Sequence, residues 1–469
     1  MTTIAAARAD VASRPQIGPL AQYALLAGPL LSMLDSSVVN VAVEPIAREL
    51  GASLAVVQWA VSGYLLALGA GLAATAFLSR RFGTLPVYRA SVVAFTIASA
   101  LCAFAPGALA LDGARVLQGL AAAPLVPLAM SMMLGRAGGG RSISPLAGIM
   151  LFVGPALGPT IGGALIGAAG WRSIFLINVP FGVVAARAVT AIPASLVPSR
   201  QPGARFDLTG LVLLAGGLTA LLYGISQGAA GGWTAVSAWA PCAAGAGLAG
   251  CYAVWAARTE QPVLDLSLAR QRVPALSMGL CALASVVTWA AIFLLPIFVQ
   301  SVQGRSALAA GLAMLPQGVI TGVSAALGPR LLTRFTVRGT VLAGFTILAA
   351  ASLGVLLIGA GTPLWLTAAI LATRSVSIGL VITPLLQAVT GPLAPAQMGD
   401  ASTVFNVWQR IAGSFGISLI ASLYAAHAVS DGPVAALHQI GVVIAALAAT
   451  GALAALALPG TRNLTPTSR

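Results

Sequence analysis

The dominant feature of this sequence is a series of long apolar stretches, most of them about 20 residues, separated by short clusters of Arg, Pro and Gly. An α-helix needs about 20 apolar residues to cross the hydrocarbon core of a bilayer. Strands of a membrane barrel would be about half as long and would alternate in polarity, which these stretches do not. Only 7% of the 469 residues are charged, against about 25% in a soluble domain. The sequence therefore predicts an all-α integral membrane protein.

The apolar stretches number fourteen, with ends uncertain by about two to four residues. The predicted spans are 20–43, 54–77, 86–105, 111–134, 143–167, 172–193, 207–227, 234–256, 274–300, 307–332, 338–359, 363–387, 401–426 and 434–458. An even number of spans places both termini on the same side of the membrane.

The basic residues predict which side this is. All 24 are arginines, and 18 of them fall on the face that holds the termini, whereas Arg48, Arg172 and Arg305 fall on the other. Because cytoplasmic loops carry the positive excess, we expect a multi-pass protein of the inner (plasma) membrane with both termini in the cytoplasm. The net charge of +14 then reflects topology, and we expect no nucleic acid as a partner.

Polar linkers divide the chain into parts. We predict a cytoplasmic arm (1–19), a six-helix half (20–193), linkers with two additional helices (194–273), a second six-helix half (274–458) and a cytoplasmic tail (459–469). The halves repeat weakly, since Arg115–Gly119 of span four has a counterpart at Arg374–Gly379 of span twelve. Repeated halves around a central site are common in secondary transporters.

Asp35 is the only carboxylate that this map places deep inside a span. A charge there is costly unless it meets a partner or a cavity, and burial favours the neutral form of a carboxylic acid, so Asp35 could bind and release a proton. Arg115, which stays charged, is a candidate partner for it. The alternatives are an Asp35 held permanently by a neighbouring helix and an Arg115 that only binds backbone carbonyls.

Span five contains closely spaced glycines and prolines that would shape one helix face. These residues are Gly154, Pro155, Gly158, Pro159, Gly162 and Gly163. Glycines at every fourth position let a second helix approach closely, and the prolines remove backbone donors and should bend the helix. This pattern indicates a hinge or a seal.

The remaining intramembrane charges are Arg374 and Arg410, which have no acid deep in their own spans. Either could line a substrate cavity, bind an anionic substrate group or serve the structure. The chain has no lysine and hence no phosphate-binding loop of the ATPase type, and no motif of an enzyme. We expect no metal, no cofactor and no catalytic residue.

Five spans carry recognisable motifs, which are Leu34–Ala42 in span one, Gln58-Trp59 and Tyr64-Leu65 in span two, Arg115–Gly119 in span four, Gly154–Gly163 in span five, and Trp171–Pro180 at the start of span six. At these motifs the chain resembles the fourteen-helix drug:proton antiporter family of the major facilitator superfamily. The resemblance covers nearly the whole chain. It implies two six-helix halves plus two extra helices, with Asp35 as the protonation site and Arg115 as its regulator.

The resemblance also implies other site residues. Asn40 and Gln118, together with Arg374 and Arg410, are our candidates for the substrate cavity. The Gly154–Gly163 segment would favour export by sealing against the other half. In the cytoplasmic turn after span two, Arg81 and Gly83 match the family's gating pattern, but Arg80 stands where the family has an acid.

Three functions remain open on this evidence. The first is proton-coupled export of small hydrophobic or cationic compounds such as antibiotics, and the second is export of a specific, possibly anionic, metabolite. The third, from another class, is a membrane receptor or regulator built on a transporter fold. In each case we expect a monomer in contact with lipid, whose partners are a small molecule and, for a transporter, protons.

Overall fold

The computed structural model describes residues 19–134, 145–190, 192, 207–231, 234–259, 262–264, 266–332, 334–393 and 395–460. The elements in these ranges are helical. The α-helices are α1 Pro19–Leu50, α2 Leu54–Val57, α3 Trp59–Phe82, α4 Thr84–Ala103, α5 Ala108–Ala122, α6 Leu125–Leu134, α7 Pro145–Ala169, α8 Ser173–Leu176, α9 Asn178–Thr190, α10 Leu208–Gly231, α11 Val236–Arg258, α12 Arg272–Ser301, α13 Ala307–Leu332, α14 Val337–Leu353, α15 Leu364–Thr390, α16 Pro395–Ser430 and α17 Pro433–Ala455.

These helices confirm the predicted all-α membrane architecture. Within the described ranges, thirteen helical segments are long and apolar enough to cross a bilayer. Helix α7 has 25 residues and ends in the apolar segment Leu157–Ala169, so it supplies the span predicted at 143–167. The fourteen predicted spans are thus accounted for.

Several predicted spans consist of two helices rather than one. The span predicted at 111–134 is α5 followed by α6, and Pro124 lies at the junction. The span predicted at 172–193 is α8 followed by α9, with Pro180 just after the junction. Proline lacks the amide hydrogen that continues a helix, which explains why an apolar stretch of spanning length need not be one uninterrupted helix.

Two clusters of buried apolar side chains form the interior. One is built mainly from α1 to α9, and the other mainly from α10 to α17. Helices α10 and α11 pack on each other, where a Cβ at Gly217, Gly224 or Gly245 would meet the opposite backbone. Many large apolar side chains elsewhere are exposed, such as Ile97 and Leu109, as expected of surfaces that face lipid. The division into two six-helix halves and an additional pair stays a prediction.

Candidate functional site

Asp35 lies in the middle of α1 and is 1% exposed. Its Oδ2 accepts a hydrogen bond from Nη1 of Arg115 at 2.6 Å, and its Oδ1 accepts from the side-chain amides of Gln118 at 3.0 Å and Asn178 at 2.8 Å. The pairing of Asp35 with Arg115 that the sequence suggested is therefore present. Three donors surround the carboxylate, so both of its oxygens have hydrogen-bond partners, as buried polar groups require.

Arg115 connects α5 to α3 as well as to α1. Its Nε donates to the backbone carbonyl of Ala60 at 2.7 Å, and its guanidinium carbon lies 4.0 Å above the ring centre of Tyr64. A buried guanidinium is stabilised both by carbonyl acceptors and by an aromatic face. Arg115 is thus held by a carboxylate and by α3 at the same time.

Gln118 belongs to this network. Its amide also donates to the hydroxyl of Ser99 on α4 at 2.8 Å, and its carbonyl oxygen accepts from Arg115 at 2.6 Å. Sequence reasoning missed Ser99, and it gave Tyr64 and Asn178 no role although both lie in the motifs that carry the resemblance. Asn178 could have been identified from the sequence because it is an amide side chain inside an apolar span. A buried polar group requires a hydrogen-bond partner, and Asp35 was a candidate for that partner.

A central cavity of about 220 Å³ lies between α1 and α7 on one side and α12, α13, α15 and α16 on the other. Its walls carry apolar side chains such as Ile292, Ile378 and Met314, the indole of Trp289, and amides including Asn40 and Gln317. A mostly apolar pocket with a few polar groups is typical of a small-molecule site. Ser36 and Ser37 line the cavity from α1, so the residues next to Asp35 reach it.

The four residues expected in the cavity have different positions. Asn40 and Arg410 line it. Gln118 is instead part of the Asp35 network, and Arg374 lies behind the wall, where its Nη2 donates to the carbonyl of Val287 at 2.8 Å. The structure thus brings together two of the four at the cavity and separates the other two from it.

The glycines of α7 contact two different helices. A Cβ at Gly158 or Gly162 would collide with Ser37 or Val38 of α1, and a Cβ at Gly154 would make a tight contact with Met33 of the same helix. This departs from the expectation that the whole segment packs against the other half. Only the neighbouring face does so, with Gly163 against Ala307 and Pro159 against Gly311 of α13. The side chain of Pro155 lies outside the described residues.

Among the described residues, side-chain hydrogen bonds join the helices before residue 192 to those after 272 at one end of the molecule, which holds the turns 51–53 and 302–306. The pairs are Gln300 with the Val41 carbonyl, Thr160 with the Gly311 carbonyl, Ser414 with the Ser62 carbonyl, and Ser418 with Gln58, at 2.8–3.1 Å. Together with the close α7–α13 approach, they close this end of the central cavity.

At the opposite end, α3 ends in the turn that holds Arg81 and Gly83. Gly83 has a φ of +93°, a backbone conformation that glycine adopts without strain, and its N–H donates to the Ser79 carbonyl at 2.9 Å. Arg80 and Arg81 are exposed. Gly83 therefore has a clear role in shaping the turn.

Asp112 on α5 is a second intramembrane carboxylate, which the sequence map placed at the edge of a span. It lies one helical turn from Arg115, and its Oδ1 is buried without a hydrogen-bond partner in the described part of the chain. Its spacing of three residues from Arg115 was the signal that could have identified it. No cluster of metal-ligating side chains occurs among the residues that the structure describes.

Comparison with known proteins identifies the family of this chain. Residues 25–417 match the model of the Major Facilitator Superfamily. A multidrug resistance protein B homolog of Mycobacterium tuberculosis is 33% identical over 84% of this chain and 74% of its own length, and the methylenomycin A resistance protein of Streptomyces coelicolor is 30% identical over 91% and 88%. The solved structure of the nucleoside transporter NupG has the same fold, with a TM-score of 0.64, 13% identity and coverage of 93% of this chain and 99% of NupG.

The family match covers most of the chain, and it agrees with the helical spans and the central cavity between two groups of helices. The chain is a multi-pass membrane protein that belongs to the Major Facilitator Superfamily, a family of transporters.

Proposed function

We propose that this protein exports small antibiotic-like compounds in exchange for protons, with the central cavity as substrate site and Asp35 as the group that binds the proton. The observation that carries the proposal is the buried ion pair between Asp35 and Arg115. Asp35 lies on α1, and the residues that follow it on this helix, Ser36 and Ser37, line the cavity. The names of the relatives, a multidrug resistance protein and an antibiotic resistance protein, support export as the direction of transport.

The geometry suggests how protonation and transport are coupled. Protonation of Asp35 would remove the negative charge that Arg115 binds. Arg115 would keep its hydrogen bond to Gln118 on its own helix and its contacts with the Ala60 carbonyl and the Tyr64 ring on α3. Helix α3 also contacts α16 through Ser62, and Gln58, the residue that precedes α3, accepts a hydrogen bond from Ser418 of α16. A shift of α3 after protonation would thus change the contacts that close one end of the cavity. This provides the two-state element that coupling requires.

We also propose that the protein acts as a monomer in the plasma membrane, with both termini in the cytoplasm. In this orientation the end of the cavity that is joined by Gln300 and Thr160 would face outward, and substrate would enter from the cytoplasmic side. The arginine excess would serve this topology, and the partners would be lipid, protons and a small molecule.

Replacement of Asp35 by Asn tests the coupling role. In a drug-sensitive host, Asp35→Asn should abolish resistance, and in proteoliposomes it should abolish substrate-driven proton flux, because Asn cannot exchange a proton. Glu49→Gln is the matched control, since Glu49 lies on the same helix but forms an exposed pair with Arg172. Coupled flux at the wild-type rate in Asp35→Asn would refute the coupling role.

A second candidate, export of an anionic metabolite, is favoured by Arg374 and Arg410, which have no ion-pair partner among the described residues. A substrate panel separates the two, because only a broad exporter would show competition among unrelated compounds. The same proton-flux measurement on the wild type addresses the receptor alternative, which predicts no flux with any compound.

A further inference from the structure

The charge of the central cavity is set by one side chain. In the described lining, Arg410 is the only residue with a formal charge, and the carboxylate of Asp35 is absent from the wall. The pair Asp35–Arg115 is neutral as a unit. The potential in the cavity is consequently positive.

Arg410 is partly buried and has no ion-pair partner among the described residues. Its Nε has no hydrogen-bond partner among them either. Asp400 lies on the same helix but ten residues earlier, a rise of about 15 Å. The guanidinium lies 5.8 Å from the ring centre of Trp289, and this aromatic contact compensates its charge only in part.

Arg374 adds a second positive charge behind the wall. It is 4% exposed, and its Nη1 has no hydrogen-bond partner within the described chain. It borders a small void of about 10 Å³ together with Thr288, Gln317 and Ile378, three residues that also line the central cavity. Because the dielectric constant of the protein interior is low, the charge of Arg374 still acts on a molecule in the central cavity.

We infer that the cavity binds compounds that present an anionic oxygen group, such as a carboxylate or phenolate, on a flat apolar body, and that it discriminates against organic cations. The anionic group binds the guanidinium of Arg410, while the apolar body packs against Trp289 and the isoleucines of the wall. Carboxylate and guanidinium match as a two-pronged hydrogen-bonded pair. A cation would enter next to two arginines that have no ion pair among the described residues, and the described lining of the cavity offers it no carboxylate. This inference rests on the proposal that the cavity is the substrate site.

The position of Tyr64 links this site to the proton site. Tyr64 covers Arg115 and lies within electrostatic range of both Asp35 and Arg410. An anion bound to Arg410 would therefore change the electrostatic environment of the Asp35–Arg115 pair through one shared neighbour.

The test compares three probes of one shape: 2-naphthoate, 2-naphthylmethanol and 2-naphthylmethylammonium. Binding to the full-length protein in nanodiscs is measured by calorimetry. We expect the wild type to bind naphthoate most tightly and the ammonium compound most weakly. Arg410→Gln should weaken naphthoate binding by about tenfold or more, the effect of losing hydrogen bonds between charged groups, while binding of the alcohol changes less than about twofold and binding of the ammonium compound improves.

Matched variants separate charge from structure. Arg410→Lys keeps the charge but loses the planar pair of donors, so it should retain only part of the preference for naphthoate. Arg258→Gln removes an exposed arginine at the end of α11 and should leave all three affinities unchanged. Thermal unfolding of each variant identifies loss of fold; if Arg410→Gln is unstable, Arg410→Met replaces it.

Three results would overturn the inference: equal or tighter binding of the ammonium compound by the wild type, naphthoate binding that does not depend on Arg410, or no naphthoate binding. Proton release on probe binding is recorded in the same samples. An Arg410-dependent preference for naphthoate without any proton release would leave this inference standing and would count against the proposed exchange of substrate for protons.

Discussion

The buried pair Asp35–Arg115 illustrates, at the scale of single residues, how a charge is kept inside a membrane protein. Removing two ions from water costs several kcal/mol, and their attraction offsets this only when the remaining hydrogen-bonding positions are filled. Here the carboxylate accepts from Gln118 and Asn178 in addition to Arg115. Replacing one member of such a pair therefore lowers the stability of the folded protein more than replacing both members.

This sensitivity predicts the outcome of a mutant cycle. Arg115→Gln should lower the free energy of unfolding by about 3 kcal/mol, because it leaves an uncompensated buried carboxylate. The double variant Asp35→Asn/Arg115→Gln should recover most of that loss. Unfolding in mixed micelles provides the measurement.

The exposed pair of Arg172 and Glu49 provides the control for the cycle. Arg172→Gln should cost less than about 1 kcal/mol, as is usual for pairs at a surface. If the double variant is as unstable as the sum of the two single variants, Asp35 and Arg115 do not depend on each other as the structure indicates.

At the scale of elements, α7 acts as a spacer between the two groups of helices. Gly154, Gly158 and Gly162 allow it to pack on α1, while Gly163 and Pro159 meet α13. In both contacts the backbone of α7 lies against the backbone of the other helix. A larger side chain at these positions can therefore not be accommodated by a change of side-chain rotamer alone. The second contact closes one end of the cavity, and it has to open for alternating access.

We predict that a single methyl group at this contact disfavours the closed arrangement. A Cβ at Gly163 would overlap the backbone of Ala307, and a Cβ at Gly311 would overlap the carbonyl of Pro159. Overpacking costs about 1–3 kcal/mol, which corresponds to a shift of about 5- to 150-fold in a two-state equilibrium. Gly163→Ala and Gly311→Ala should therefore reduce the transport rate in proteoliposomes.

Gly167→Ala is the matched control on the same helix, because a Cβ at Gly167 meets nothing within 4 Å. It should transport at the wild-type rate. Equal rates in Gly163→Ala, Gly311→Ala and Gly167→Ala would show that the close α7–α13 approach has no part in the transport cycle.

At the scale of the whole molecule, the positions of the membrane spans could be predicted from the sequence. The rotation of each helix about its axis, which decides which side chains face which neighbour, could not. The fourteen spans follow from a length that lipid imposes, and Asp35 and Arg115 were identified because charges are rare inside spans. Helices that are apolar on all faces give little signal about which face meets which neighbour. For this reason the sequence did not indicate that Gln118 belongs to the Asp35 network, that Arg374 lies behind the cavity wall, or that Gly154, Gly158 and Gly162 pack on α1 while only Gly163 meets α13.

The distribution of arginines makes a prediction about the orientation of the whole chain. Because positive charges are retained in the cytoplasm, a green fluorescent protein fused after residue 469 should fluoresce, and alkaline phosphatase fused there should be inactive. Alkaline phosphatase inserted after Gly304, in the turn between α12 and α13, should be active, since nine spans lie between the N-terminal arm and this turn, and an odd number of crossings places the turn on the opposite side. The cavity end closed by Gln300 and Thr160 would then face outward, as export from a cytoplasm-facing cavity requires. An active phosphatase at the C-terminus together with an inactive one at Gly304 would invert the molecule, and the direction of transport proposed for this conformation would be wrong.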